Sequence, residues 1–136
     1  MQIDGQQLAV FAAVVELGSF DAAARRLHVT PSAVSQRMKA LGLRVTHVLN
    51  THTHHDHVAG NGVFHTGDVK LAAYREAQVK PDIPLDHGSV VEVGQQRIEI
   101  LFTPGHYLDS ICLLVNKQKL ITGDTLFVGC IGGSGF

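Results

Sequence analysis

Apolar positions change their period part-way along the chain. From Leu8 to Leu41 they recur at three- and four-residue intervals, the spacing of helices that bury one face. Leu8, Phe11, Val14 and Val15, closed by Leu17, predict a helix from about residue 6 to residue 17, with Gly18 stopping it. Ser19 suits an N-cap, and Phe20, Ala23, Ala24 and Leu27 form the buried side of a second, short helix. After the turn His28-Val29-Thr30, Thr30 can cap a third helix that starts at Pro31, where a missing N–H costs nothing. Ala33, Val34, Met38 and Leu41 then face inward, leaving Ser32, Ser35, Gln36, Arg37 and Lys39 outside.

Beyond Gly42 the pattern becomes short β-type runs punctuated by Gly, Pro, Asn and Asp. Strands are expected over 45–49, 69–73, 89–93, 97–102, 110–115 and 120–122, with turns at Gly94-Gln95 and Asn116-Lys117-Gln118-Lys119. A short helix is expected over 74–79, ended by Pro81. The fold class is therefore α+β: a three-helix segment over 1–43, packed on or joined to a partial αβ sheet unit over 44–136, with no Ser- or Pro-rich linker between them.

Composition narrows the functions this arrangement can serve. The chain has 136 residues, 45% hydrophobic and 17% charged, which fits a globular protein rather than a disordered one. Eleven Lys and Arg against twelve Asp and Glu give a formal charge of -1, so any attraction to nucleic acid must be local. No apolar stretch approaches the roughly 18 residues of a membrane span, so no membrane partner is expected. The two cysteines, Cys112 and Cys130, lack metal-binding or disulfide spacing, and a cytoplasmic location is the simplest expectation. Nine histidines against six Phe, two Tyr and no Trp direct attention to imidazole chemistry.

Two short helices with a tight turn, the second presenting Ser32, Ser35, Gln36 and Arg37, meet the physical requirement for reading a DNA major groove. A three-helix packing unit with a merely solvated polar face would show the same periodicity. The strings Glu16-Leu17-Gly18-Ser19-Phe20, Ala22-Ala23-Ala24-Arg25-Arg26-Leu27-His28-Val29-Thr30 and Pro31-Ser32-Ala33-Val34-Ser35-Gln36-Arg37 resemble the DNA-binding segment of LysR-type transcriptional regulators. This resemblance covers about the first 43 residues and ends before the wing and dimerisation helix of that family, which are expected to be missing. It implies at most weak, salt-sensitive binding to duplex DNA.

Residues 51–57 read Thr-His-Thr-His-His-Asp-His. Clustered imidazoles repel one another when protonated and leave polar nitrogens to satisfy when buried, whereas metal coordination uses them directly. The alternative is a His-rich surface loop with adventitious metal affinity. Two later strand ends each offer one more metal-competent side chain, His106 in Thr103-Pro104-Gly105-His106 and Asp124 in Gly123-Asp124-Thr125-Leu126-Phe127. With no neighbouring thiolate, zinc is the first expectation, as one or two ions, with iron or manganese as alternatives.

The order of these motifs resembles the metallo-β-lactamase superfamily, within it the glyoxalase II (hydroxyacylglutathione hydrolase) and persulfide dioxygenase-like branch, from about residue 44 to 136. Carried over by position, the resemblance implies a first metal site of His52, His54 and His106, a second including Asp56 and His57, and Asp124 between them. His55 falls on a variable position, and His47, His65 and His87 match no ligand position. The implied chemistry is metal-assisted hydrolysis of an acylated glutathione thioester, with Asp56 as catalytic residue orienting the nucleophile. Tyr107-Leu108-Asp109 stands where the family usually has Thr-Pro-Gly, and the downstream second-site histidine and basic glutathione-gripping residues are not found.

The expected function is thus a metal-binding protein with weak or no thioester hydrolase activity. The alternatives are a DNA-binding regulator fragment or a chimeric chain with neither activity. Unpaired strand edges predict a homo-oligomer.

Overall fold

The computed structural model describes residues 5–17, 19–42, 45–65 and 67–134. Gly18, the expected stop of the first helix, and the proposed junction at 43–44 lie outside them. The chain divides into two compact units, Met1–Val45 and Thr46–Phe136.

Among the described residues the first unit holds three helices, α1 (Gly5–Leu17), α2 (Phe20–Arg26) and α3 (Pro31–Ala40). The Ser19 hydroxyl accepts the Ala22 N–H at 3.0 Å and the Thr30 hydroxyl accepts the Ala33 N–H at 3.1 Å, so both expected N-caps form. Val10, Ala24, Val34 and Met38 make the core, with Val14, Phe20, Leu27, Val29 and Leu41 packed against it. The expected buried face of α1 is corrected. Leu8, Phe11 and Leu17 are exposed, and α1 instead turns Val10 and Ala13 inward. Close approach of short helices favours small side chains at the contact, and the alanines of α2 supply the facing surface.

The second unit holds two sheets and a hairpin. Strands β1 (His47–Leu49), β2 (Lys70–Tyr74) and β3 (Ile83–Leu85) run parallel in that order. The crossover from β1 to β2 carries two single-turn helices, α4 (His55–Val58) and α5 (Asn61–Phe64). Strands β4 (Val90–Val93), β5 (Gln96–Phe102), β6 (Ile111–Val115) and β7 (Lys119–Ile121) form an antiparallel meander, and β8 (Leu126–Phe127) pairs with β9 (Cys130–Ile131). The β4–β5 loop is Gly94-Gln95, as expected, with Gly94 at φ +60°. The β6–β7 loop is Asn116-Lys117-Gln118, with Asn116 and Lys117 at positive φ and Lys119 already in β7.

Ala72 and Leu85 of the parallel sheet pack with Val91, Ile100, Ile111 and Leu113 of the meander, so the two sheets share one core. Tyr74 and Phe102 stack across it, ring centroids 4.3 Å apart and 8° from parallel.

The helix expected over 74–79 is absent. Tyr74 ends β2, the Arg75 N–H donates to the Leu85 carbonyl at 3.0 Å, and β3 follows at Ile83. Parallel pairing satisfies backbone groups that a helix would otherwise have used. The Asp82 carboxylate secures this return by accepting the Leu71 N–H at 2.8 Å and pairing with His65 at 2.7 Å. These contacts, the Leu71 N–H first, hold Asp82 below the usual carboxylate range. Among the described residues no helix is long and apolar enough to cross a membrane.

Candidate metal centre

β1 ends at Leu49, and the chain passes a bend at Thr51 to His54, whose backbone is extended, before turning into α4. The His52 and His54 rings come together there, with centroids 4.8 Å apart. His106 arrives from the β5–β6 turn, and Asp124 from the turn after β7. Three segments far apart in sequence thus meet at one end of the two sheets.

His54 Nδ1 lies 3.1 Å from His52 Nε2 and 2.9 Å from His106 Nε2. His57 Nε2 is 3.3 Å from Asp124 Oδ1, and His106 Nε2 is 3.7 Å from Asp124 Oδ2. Two groups of donor atoms result, His52–His54–His106 and His52–His57–Asp124, each with all its ligand atoms within 4.8 Å of one another. Asp124 turns one oxygen toward each group. Asp56 lies outside both, its side chain 80% exposed and its Oδ2 3.7 Å from His57 Nε2.

The donor set fits a divalent cation. His106 Nδ1 sits 2.8 Å from the Gly133 carbonyl, which can only accept, so that nitrogen carries the proton and Nε2 presents a lone pair to the cluster. His52 Nδ1 pairs with the Thr51 hydroxyl at 3.1 Å, which leaves its Nε2 facing inward as well. His54 Nδ1 can share a proton with only one of these two facing nitrogens at a time, whereas one cation satisfies all three nitrogens. Ligands of a tetrahedral zinc with Zn–N of about 2.0–2.1 Å sit about 3.3–3.4 Å apart, close to the spacing found. Burial, with the neighbouring His57 next in weight and Asp124 opposing, pushes the His52 imidazole down to about 4, so it is neutral and ready to ligate near pH 7.

Supporting contacts include residues that the motif spacing did not single out. Buried Asn50 donates to the His57 carbonyl at 3.3 Å, and its amide exchanges hydrogen bonds with that of Asn61 at 3.0 and 2.8 Å, tying α4 and α5 to the end of β1. A Cβ on Gly132 would lie 1.8 Å from the Asp124 carbonyl oxygen and 3.1 Å from His106 Nδ1, so only glycine lets this strand end approach both. Gly123, at φ +51°, lies against Thr51, where a Cβ would meet the hydroxyl at 2.7 Å. Asn followed by turn residues, and paired glycines after a strand, were the available signals. Neither names a partner.

The other histidines of the second unit stand apart from the cluster. His55 is exposed, His47 Nδ1 is 2.9 Å from the Thr46 hydroxyl, His65 pairs with Asp82, and His87 accepts the Phe102 N–H at 3.3 Å. On α3, Ser32 and Gln36 are exposed, while Ser35 is half-buried. Arg37 is also half-buried, lining a cavity of about 300 Å³ with Gln6, Ala9, Val10, Leu27 and Val29.

Residues 6–57 match the family described as bacterial regulatory helix-turn-helix protein, lysR family. The HTH-type transcriptional regulator LysG of Mycobacterium tuberculosis (strain H37Rv) is 75% identical over 48 residues, 35% of this chain and 16% of LysG. Hydroxyacylglutathione hydrolase of Francisella tularensis subsp. novicida is 37% identical over 95 residues, 67% of this chain and 38% of that enzyme. The enzyme of the same name from Gloeobacter violaceus is 34% identical over 122 residues, 82% and 48% of the two chains. The crystal structure of ETHE1 from Myxococcus xanthus superposes with a TM-score of 0.64 at 30% identity, over 76% of this chain and 48% of that one.

The chain is thus similar to LysR-type helix-turn-helix regulators over residues 6–57 and to hydroxyacylglutathione hydrolases over 67% or more of its length. A metallo-β-lactamase from Staphylococcus aureus subsp. aureus COL, at TM-score 0.61 and 24% identity over 76% of this chain and 34% of that one, supports the fold alone. The LysR-type match runs through His57 and so overlaps the histidine motif, although the compact units divide at Val45 and Thr46. The chain spans less than half the length of each of these relatives.

Proposed function

We propose that the metallo-β-lactamase-like segment, taken to begin at about residue 44, binds a divalent metal ion, zinc first and iron or manganese as alternatives, and has weak or no hydrolase activity toward a hydroxyacylglutathione-like thioester. The observation that carries this reading is the convergence of His52, His54 and His106 nitrogens to within about 3 Å of His54 Nδ1. His52, His54 and His106 would hold one ion, with His57 and Asp124 available to a second. A bound cation supplies Lewis acidity toward a carbonyl oxygen and toward water.

The chain's own residues do the rest. His106 keeps its proton on Nδ1 through Gly133, Asp124 offers negative charge to both donor groups, and exposed Asp56, beside His57, would take a proton from a nucleophilic water. Tyr107 covers His54, ring centroids 4.3 Å apart, and narrows access from that side.

Elemental analysis of the purified chain beside His52→Ala and Asp124→Ala tests the reading. Metal in the parent chain and its loss from the His52 variant are expected, and unchanged content in both variants defeats it. Thioester cleavage is then followed on the metal-loaded chain, where a slow rate that disappears in His52→Ala is expected.

A second reading is favoured by a separate observation, α3 capped by Thr30 and presenting Ser32 and Gln36 beside Ser35 and Arg37, in a segment 75% identical to LysG. It gives weak duplex DNA binding that falls steeply with salt. Retardation that is independent of sequence at physiological salt would defeat it as a regulator. Exposed Leu120, Ile121, Phe127, Val128 and Ile131 on β7 and the β8–β9 hairpin support self-association, which a single monomer peak across a wide concentration range would refute. Two free cysteines, Cys112 and Cys130, agree with a cytoplasmic setting.

A further inference from the structure

Asp109 follows the His106 turn and is 95% buried, at 5% exposure. Its position is fixed by a tight turn in which the Tyr107 N–H donates to the Ser110 hydroxyl at 3.1 Å and the Ser110 N–H returns to the Tyr107 carbonyl at 3.2 Å. Asp109 Oδ1 accepts the Thr53 N–H at 3.2 Å. Thr53 stands between His52 and His54 in the chain.

Two further observations single out this contact. Among the described residues, the buried side-chain polar atoms without a hydrogen-bond partner are Thr53 Oγ1 and Asp109 Oδ2, one from each end of the same link. A hydroxyl donates and a carboxylate oxygen accepts, so the two are chemically complementary. A buried carboxylate is also costly, and a residue that only filled space there would be apolar. The neighbouring Ile111 N–H donates to the Thr51 carbonyl at 2.8 Å, so the start of β6 grips the ligand segment at two successive odd positions.

We propose that Asp109 is a positioning residue that pins the Thr53 peptide, and so presets His52 and His54 for the metal before it binds. The inference rests on the reading of the histidine cluster as a metal centre. Asp109 contributes no donor atom to either group. It acts through the backbone, where loss of a ligand-supporting hydrogen bond costs roughly 10–100-fold in metal affinity.

The test uses the full chain and Zn²⁺ with a competing chelator. Asp109→Ala is expected to weaken Zn²⁺ affinity by about 10–100-fold, whereas Asp109→Asn, whose amide oxygen can still accept the Thr53 N–H, stays near the parent. With Co²⁺ in place of Zn²⁺, the visible absorption bands should shift in the Ala variant and not in the Asn variant. Amide exchange at Thr53, followed in the metal-free parent chain, should already be protected. That measurement needs no variant to fold.

Unprotected Thr53 in the metal-free parent, or an Ala variant with lowered melting temperature but unchanged affinity and Co²⁺ spectrum, overturns the positioning role while leaving the metal centre standing. A parent chain that binds no Zn²⁺ overturns the metal centre itself and the role with it.

Discussion

The helical unit and the sheet unit build their functional surfaces in opposite ways. In the first, the residues that set the architecture lie within a few positions of what they act on: Ser19 caps α2, Thr30 caps α3, and the exposed Ser32 and Gln36 belong to the helix that Thr30 starts. In the second, the donor cluster draws on residues from His52 to Asp124, and its supports on Asn50 and Gly133 at the extremes. A surface carried on one helix survives small changes in neighbouring elements. A centre assembled from three loops requires the whole double-sheet core to hold their spacing.

His106→Ala probes that difference most strongly. It removes one of three converging nitrogens, and Zn²⁺ affinity measured by chelator competition should fall by more than the roughly 10–100-fold expected for loss of a supporting hydrogen bond. Retention of affinity would mean that the metal is held by the contiguous 52–57 segment alone, and the contrast between the units would collapse.

Acidification comes next, since protons compete for every imidazole at once. Zn²⁺ affinity should fade below about pH 6, and equal affinity at pH 5 and pH 7.5 would count against a histidine site. The metal-free chain should also lose stability on the acid side. His52 titrates at about 4 in the folded chain against an ordinary value of 6.5, so the unfolded chain binds the proton first. That contribution is fully present above pH 6.5 and is lost as pH falls toward 4. Thermal melts of parent and His52→Ala across this window check it, with a shallower acid slope expected in the variant.

Gly132→Ala tests whether distant backbone contacts shape the centre. The added Cβ cannot coexist with the Asp124 carbonyl at 1.8 Å, so the two segments must separate. A loss of about 1–3 kcal/mol in stability is expected, together with weaker metal binding. A variant that melts earlier with undiminished affinity would show that the β8–β9 hairpin is dispensable to the site.

Thr30→Ala gives the smallest effect and should remain local. Removing one cap costs about 0.5–2 kcal/mol, read in the loss of helical circular dichroism, with Zn²⁺ affinity unchanged. Coupled loss of metal would contradict the local logic of the helical unit.

The α+β class and both caps were legible because each depends on residues adjacent in sequence. The α1 face departs from its apolar period at Leu8, Phe11 and Leu17 for a physical reason. Leu8, Phe11 and Leu17 are the larger apolar side chains, but α2 presents alanines, and a close helix contact selects Val10 and Ala13. The segment 74–79 has apolar positions compatible with a helix, yet pairing of β3 with β2 claims its surroundings. Strands of two or three residues such as β3, β8 and β9, and the single turns α4 and α5, are too short to carry a period.

The sequence by itself determined the chemistry on offer: imidazoles and carboxylates at chain positions suited to a metal, and a polar helix face behind a capped turn. Only the tertiary structure decided which of them meet. Ligand type is a property of a residue, whereas the 2.9 Å from His54 to His106 spans 52 positions and exists only because two sheets close over a common core. The same closure leaves Asp56 facing solvent and brings Asp109 beneath the ligand segment. Neither placement follows from local spacing, because both depend on where β6 docks against the end of β1.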